Sequence, residues 1–197
     1  MLIPPKEIIC IHTKHFTIRS IEQYQITKKY LDWLSDPEVN TFLEAKKAKQ
    51  SIKSICEYIN TLRDITDCDL LAITTKNSKT HIGNITLTQK PNLSTGVYGI
   101  LIGDRTSYQS LIAGSECTIA IIDFLFNIKK VDTLIEGVKP KNKNASGLLR
   151  KLGFEIKTQS LESDTYELAK SDWAKNRHKY EGILPSDSNF FCEYCSR

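Results

Sequence analysis

The segment 107–116, SYQSLIAGSE, places small residues after a strand-like run and before an apolar helical pattern. A helix N-terminus leaves backbone N–H groups unpaired and carries a partial positive charge, so small residues there allow a phosphate to approach the amides. Gln109 would add a side-chain donor. The small residues that permit such an approach are Ser110, Ala113, Gly114 and Ser115. The same composition also fits an ordinary packed turn, and both alternatives stay open.

A second polar position stands at the start of another helical pattern. Asn142 follows Pro140 and precedes the short apolar pattern 143–153, which Gly153 is expected to end as the C′ residue. Asn142 therefore either contacts a ligand or is a turn residue after the proline.

Hydrophobic periodicity predicts the elements that position these residues. Helices are expected at 22–36, 51–65, 114–127 and 143–153, with Ser51 as an N-cap. Strands are expected at 15–21, 70–76, 80–89, 96–103, 132–138, 154–160 and 164–170. Short links predict an antiparallel meander in the centre, and the helix after 96–103 predicts a crossover to a parallel neighbour. The fold class is thus α/β (α+β), a mixed, mostly antiparallel sheet with about four helices, in the order β-α-α-β-β-β-α-β-α-β-β.

Composition favours a soluble enzyme-sized domain. The 197 residues, 40% hydrophobic and 25% charged, predict one domain over 1–175 and a tail over 176–197 that either packs loosely or mediates contacts. A net charge of +4 is too mild for a nucleic-acid partner. We see no signal-peptide layout and expect no apolar run near the ~18 residues that span a membrane, so we expect a cytoplasmic protein.

The cysteines indicate no metal cofactor. Six are scattered along the chain, as is usual for reduced thiols. Cys192 and Cys195 form a C-x-x-C pair, but a zinc site needs two further ligands and none stands at useful spacing.

Several motifs in order resemble the Gcn5-related N-acetyltransferase (GNAT) superfamily over about residues 14–175. They are closest to the branch that includes the ribosomal-protein-alanine acetyltransferases. The matching stretches are Asp36–Val39, Ile82–Ile85, Ile102–Asp104, Asn142, Lys151–Phe154 and Asp172–Trp173. The resemblance implies direct transfer of an acetyl group from acetyl-CoA to a primary amine.

The same resemblance implies a cofactor site. The superfamily's phosphate loop, Gln/Arg-x-x-Gly-x-Gly/Ala, maps onto Gln109, Ser110, Leu111, Ile112, Ala113 and Gly114, with Ser115 beside it and Ile112 in place of the first glycine. The backbone of Ile100, Leu101 and Ile102 would pair with the pantetheine arm and polarise the thioester. Asn142 would hydrogen-bond the arm near the sulfur.

Apolar residues occupy two positions at which related sequences carry proton-transfer groups. Val97 stands where the branch often has a glutamate, and Leu149 where many members have a tyrosine acid. Glu44 is our preferred base, and Tyr98 is a candidate acid. The acceptor is expected to be a small molecule such as an amino sugar. A protein N-terminus and a non-catalytic GNAT-like binding module are the alternatives, and a homodimer is compatible with the sequence.

Overall fold

A computed structural model describes residues 1–42, 50–65, 68–90, 94–105, 108–184 and 190–194, with the backbone alone at 108–109 and 190–194. Its strands are β1 (Glu7–His12), β2 (Phe16–Ser20), β3 (Cys68–Thr75), β4 (His81–Gln89), β5 (Thr95–Ile102), β6 (Thr133–Val138), β7 (Glu155–Thr158), β8 (Asp164–Ala169) and β9 (Phe190–Tyr194). Its helices are α1 (Lys28–Ser35), α2 (Pro37–Asn40), α3 (Ile52–Asp64), α4 (Tyr108–Asn127), α5 (Lys143–Leu152) and α6 (Lys170–Asn176). Short 3₁₀ turns lie at Gln23–Gln25 and Arg177–Tyr180.

The described strands form one nine-stranded sheet in the order β7-β8-β6-β5-β4-β3-β2-β1-β9. Every neighbouring pair is antiparallel except β5 and β6, which are parallel across the α4 crossover. This confirms the predicted mixed, mostly antiparallel fold class and the predicted crossover. Among the described strands, β5 and β6 are thus the one neighbouring pair that runs in the same direction.

Two apolar clusters cover the two faces of the sheet. On one face α4 packs over the central strands, with Ile121, Phe124 and Leu125 fully buried. On the other face α1 and α3 contribute Tyr30, Trp33, Ile55 and Ile59, packed against Leu70 and Ala72 of β3. Ser51 caps α3 as predicted, because its hydroxyl accepts from the backbone N–H of Ser54 at 3.0 Å.

The N-terminal region differs from the expectation in detail. The predicted helix 22–36 is a 3₁₀ turn followed by α1, because Thr27 caps α1 by accepting from the backbone N–H of Tyr30. An additional strand, β1, precedes the predicted first strand and pairs with it antiparallel.

The C-terminal segment is not loosely packed where it is described. Trp173 stacks on Tyr180 with ring centroids 5.5 Å apart. The carboxylate of Asp123, fully buried in α4, accepts from Trp173 Nε1 at 2.9 Å and from Arg177 Nε at 2.7 Å. Farther on, β9 pairs with β1, with Cys192 opposite Ile9; Cys195 lies outside the described residues. These contacts fasten the chain end to the core helix and to the sheet edge.

Helix α4 corrects the expectation about apolar runs. Its residues 110–127 are long and apolar enough to cross a membrane, by length and composition. However, 72% of that stretch is buried inside the protein. The apolar surface of this helix is thus accounted for by packing against the sheet.

Candidate functional site

The site is a gap in the middle of the sheet. Strands β5 and β6 pair only at Thr95–Thr133 and Gly96–Leu134, whereas β6 stays paired with β8 as far as Val138. Beyond the second pair a cavity of about 1060 Å³ is lined by β5 residues 98–102 and β6 residues 136–138. Residues of α1, α3, α4 and α5 complete its walls. The early end of the parallel ladder therefore opens a cleft between two strands.

The β5 edge of this gap presents backbone hydrogen-bonding groups. The N–H of Tyr98 is directed toward β6, because it donates to the Glu136 carboxylate at 2.9 Å. Alternate residues of a strand direct their N–H and C=O groups to the same side, so Ile100 and Ile102 share this edge. The predicted positions Ile100, Leu101 and Ile102 all line the cavity. An extended amide-containing ligand can occupy the place that β6 has left.

Glu136 is a cavity residue that our reading of the sequence missed. It is 8% exposed, and burial raises the pKa of its carboxyl to about 8, against the opposing effect of the Tyr98 N–H donor. Near neutral pH this carboxyl can therefore both hold and release a proton. The sequence pattern does contain a signal for it. Leu134, Glu136 and Val138 alternate on one buried face of β6, and an acidic side chain is rarely buried unless it has a partner or a function.

Two buried hydroxyls line the cavity as well. Among the described residues, Tyr98 OH and Thr118 Oγ1 have no hydrogen-bond partner, although both side chains are at most 5% exposed. Burial, with Glu136 nearby, raises the pKa of Tyr98 well above its ordinary value. The phenol therefore stays neutral and is better suited to donate a hydrogen bond than to deliver a proton. Buried polar atoms without partners cost stability and are expected to meet a ligand or water.

Asn142 is both a cap and a wall residue. Its Oδ1 accepts from the backbone N–H of Ala145 at 3.2 Å, so it is the N-cap of α5. It also lines the cavity beside Lys139 and Ala145. Because Oδ1 is engaged in the cap, the Nδ2 group is the part of this side chain that can donate to a ligand.

The predicted phosphate loop is not a loop. Residues 109–115 lie inside α4, which begins at Tyr108. Helical N–H groups from Ile112 onward bond to carbonyls one turn earlier, so only the amides of the first turn can face an anion. Ala113 is fully buried and Ile112 packs against the core, whereas Leu111 is 77% exposed. Full burial accounts for the small residue at Ala113, whereas Gly114 has open space where a Cβ would stand, so close packing does not explain that glycine.

Glu44, the preferred base, lies outside the described residues, and so does any contact it makes. On the cavity side that faces α1 and α3, Tyr30, Leu34 and Tyr58 form an apolar and aromatic wall. Glu38 and Arg105 form an ion pair of 2.7 Å among the lining residues. Gly99 has open space where a Cβ would stand, so the β5 backbone is accessible there.

Two glycines of the quoted motifs are required by close approach. A Cβ on Gly103 would lie 2.0 Å from the Trp33 ring, and one on Gly83 would lie 2.3 Å from the carbonyl oxygen of Leu101. Among the described residues, no group of three or more His, Cys, Asp or Glu side chains could hold a metal ion.

Comparison with known proteins gives a consistent result. The family described as the acetyltransferase (GNAT) domain matches residues 15–155, whereas no curated protein matches the chain. The fold is similar to a GNAT-family acetyltransferase from Bacillus anthracis, with a TM-score of 0.67, 14% identity, and 82% of this chain and 99% of that chain covered. The fold is also similar to a nucleotide-linked sugar GNAT, apo FdhC, with a TM-score of 0.73, 14% identity, and 89% of this chain and 98% of that chain covered. For the spermidine N-acetyltransferase from Vibrio cholerae in complex with CoA and spermine, the TM-score is 0.68 and the identity 14%. The match covers 81% of this chain and 98% of that chain.

Proposed function

Since this chain belongs to the GNAT acetyltransferase family, we propose that it transfers the acetyl group of acetyl-CoA directly to a primary amine on a small molecule, such as an amino sugar. The observation that carries the proposal is the parting of β5 and β6 after two residue pairs, which opens a cleft along a strand edge. A pantetheine arm is extended and carries two amides, so it suits an edge with unfilled hydrogen-bonding positions.

In this proposal Ile100 and Ile102 offer backbone groups to the pantetheine arm, and one of their N–H groups polarises the thioester carbonyl. Asn142 donates through Nδ2 from the opposite wall of the cavity. Tyr98 and Thr118 supply hydroxyls that have no hydrogen-bond partner within the described part of the chain. Preorganised donors of this kind stabilise the oxyanion that forms in acyl transfer.

The diphosphate is assigned to the first turn of α4. The helix begins at Tyr108, and the positive end of its 20-residue dipole lies at this turn. Gln109 remains a proposed side-chain donor. Residues 112–115 keep their place in the sequence motif, but their amides belong to the helix.

The reaction needs one proton removed and one delivered. The amine nitrogen attacks the thioester carbonyl carbon, the C–S bond breaks, and the departing thiolate takes up a proton while the amine loses one. Glu136 is the described group best suited to accept the amine proton, because its pKa of about 8 lies near that of a partly desolvated amine. Glu44 remains a second candidate base on the sequence argument.

The test is transfer itself. Acetyl-CoA is incubated with glucosamine, spermidine and a peptide with a free N-terminus, and thiol release is followed together with the acetylated product. We expect the amino sugar to be preferred. A preference for the peptide would instead support a protein N-terminal acetyltransferase. Lack of turnover, together with no rise in melting temperature at millimolar acetyl-CoA, would support a binding module, since a ligand at a hundred times its Kd adds about 2.7 kcal/mol.

A Gly99→Val variant separates acceptor access from folding. A Cβ on Gly99 would meet no heavy atom within 4 Å, so the side chain starts in open space at the cavity wall. We expect acetyl-CoA binding to be kept and transfer to fall at least tenfold. Gly147→Ala is the matched control, because Gly147 also has open space but lies in α5 away from the cavity lining.

A further inference from the structure

Asn84 of β4 is a buried polar residue in the cavity wall that faces α1 and α3. Its direct cross-strand neighbours are Ala72 and Leu101, and both pack in the apolar cluster under those helices. Neighbours across a strand pair share a face of the sheet, so Asn84 points to the same side. The side chain is 3% exposed and lines the cavity.

The orientation of the Asn84 amide is set by His81. The ring Nε2 of His81 lies 2.9 Å from Asn84 Oδ1 and 3.0 Å from the carbonyl oxygen of Gly83, so a proton on Nε2 serves two acceptors. Trp33 holds the ring in an edge contact at 5.1 Å. Burial lowers the pKa of His81, against hydrogen bonds to Asn84 and to the backbone of Gly83 and Gln25, so the ring stays neutral and carries one proton. We place that proton on Nε2, because this nitrogen faces two acceptor oxygens and the Gly83 carbonyl can only accept. The oxygen of Asn84 therefore faces His81, and its Nδ2 group faces elsewhere.

Asn84 Nδ2 has no hydrogen-bond partner among the described residues. A buried donor without a partner lowers stability, so such a donor in a binding cavity calls for a ligand acceptor atom. The strand register puts Asn84 diagonal to Gly99, where the β5 backbone is open. The unpartnered donor and the open position at Gly99, one residue before Ile100, thus lie on one face of the sheet.

We propose that Asn84 Nδ2 donates a hydrogen bond to an oxygen that the acceptor molecule carries next to its reactive amine. The inference rests on the proposed function and narrows its substrate class to amines with a neighbouring hydroxyl, ether or carbonyl oxygen. The charges of this wall agree with it. Glu38 is paired with Arg105, so the described residues offer an alkyl polyamine little uncompensated negative charge on this side.

Three probe amines test the proposal: cyclohexylamine, trans-2-aminocyclohexanol and trans-2-methoxycyclohexylamine. They differ only at the carbon beside the amine, and the methoxy oxygen can accept but cannot donate. With acetyl-CoA as donor, the wild-type kcat/KM should be at least tenfold higher for both oxygen-bearing probes. Asn84→Leu, which has a similar shape without the donor, should remove that preference while changing kcat/KM for cyclohexylamine by less than about twofold.

The matched control is Asn40→Leu. Asn40 also lines the cavity, but its Nδ2 already donates to the carbonyl oxygen of Leu34 at 2.9 Å. This variant should keep the wild-type ratio between the probes. Melting curves should show Asn84→Leu close to the wild type in stability, because loss of the bond between Oδ1 and His81 is offset by removal of an unpartnered donor.

The outcomes separate the two proposals. Equal wild-type rates for the three probes, or an equal loss on all three in Asn84→Leu, would overturn the role of Asn84 and leave the acetyltransferase intact. A preference for the hydroxyl probe but not for the methoxy probe would also overturn the role of Asn84. Such a preference would mean that the cavity wall accepts a hydrogen bond from the substrate rather than donating one. Transfer to none of the probes would overturn both the small-amine function and this inference.

Discussion

Replacing Glu136 by glutamine should change how the stability of the protein depends on pH. The Glu136 carboxyl titrates near its ordinary pKa of 4.5 in the unfolded chain and at about 8 in the folded protein. Between these values the folded state binds the proton more tightly, so the free energy of unfolding falls as pH rises. From pH 5 to pH 8 the loss is about 3 kcal/mol, since each pKa unit corresponds to about 1.4 kcal/mol. Glutamine keeps an oxygen for the Tyr98 N–H and removes the titration.

The assay is thermal or urea unfolding of the wild type and Glu136→Gln at pH 5, 6, 7 and 8. The difference between the two proteins cancels the titration of all other groups. The free energy of unfolding of the variant should rise relative to that of the wild type by about 3 kcal/mol from pH 5 to pH 8. This corresponds to roughly 6–12 °C in melting temperature for a chain of this size. Glu162→Gln is the control, because Glu162 lines the same cavity but is exposed.

A difference between wild type and Glu136→Gln that stays flat from pH 5 to pH 8 would refute the reasoning. It would mean that the carboxyl is ionised in the folded protein despite its burial. In that case Glu136 would not be a proton acceptor tuned to neutral pH, and the proposed transfer would depend on another base.

Three further predictions test other parts of the structure. Gly103→Ala should lower the free energy of unfolding by about 1–3 kcal/mol in urea titration, because its Cβ would overlap the Trp33 ring, whereas Gly147→Ala in an exposed part of α5 should raise it by up to ~1 kcal/mol. Asp123→Asn should cost about 1.5–3 kcal/mol in the same titration, since it weakens the charge-assisted hydrogen bonds that Trp173 and Arg177 donate to this buried side chain; a loss below 1 kcal/mol would contradict this. Leu111→Glu should weaken CoA binding about tenfold relative to Leu111→Lys by calorimetry, while equal affinities would place the diphosphate elsewhere.

The centre of the fold followed from the sequence because its signals are local. The alternation in β3, β4 and β5 and the short links between them predicted three antiparallel strands, which the register confirms. Ser51 was identified as a cap for the same reason, since the residues that decide it are neighbours in the chain.

The remaining elements depend on contacts between distant residues. Strand β1 follows two prolines and is completed by pairing with β9, more than 170 residues later. The start of α4 was placed too late because Ala113 and Gly114 resemble a loop, whereas full burial of Ala113 explains a small residue in a helix. Asn84 stood in a quoted motif, but its unpartnered amide is visible only once His81 is placed beside it.

Because β5 and β6 pair at only two positions, the sheet consists of two groups of strands, called leaves here, joined by a short ladder, called the seam. One leaf holds β6, β7 and β8, and the other holds the remaining six strands. Few hydrogen bonds would have to break for the leaves to separate, so amide exchange on the free edges of the seam should be fast compared with the interior of each leaf. An extended molecule that bonds to both β5 and β6 in this gap would hold the two groups of strands together. The donor substrate would then stabilise the sheet that binds it.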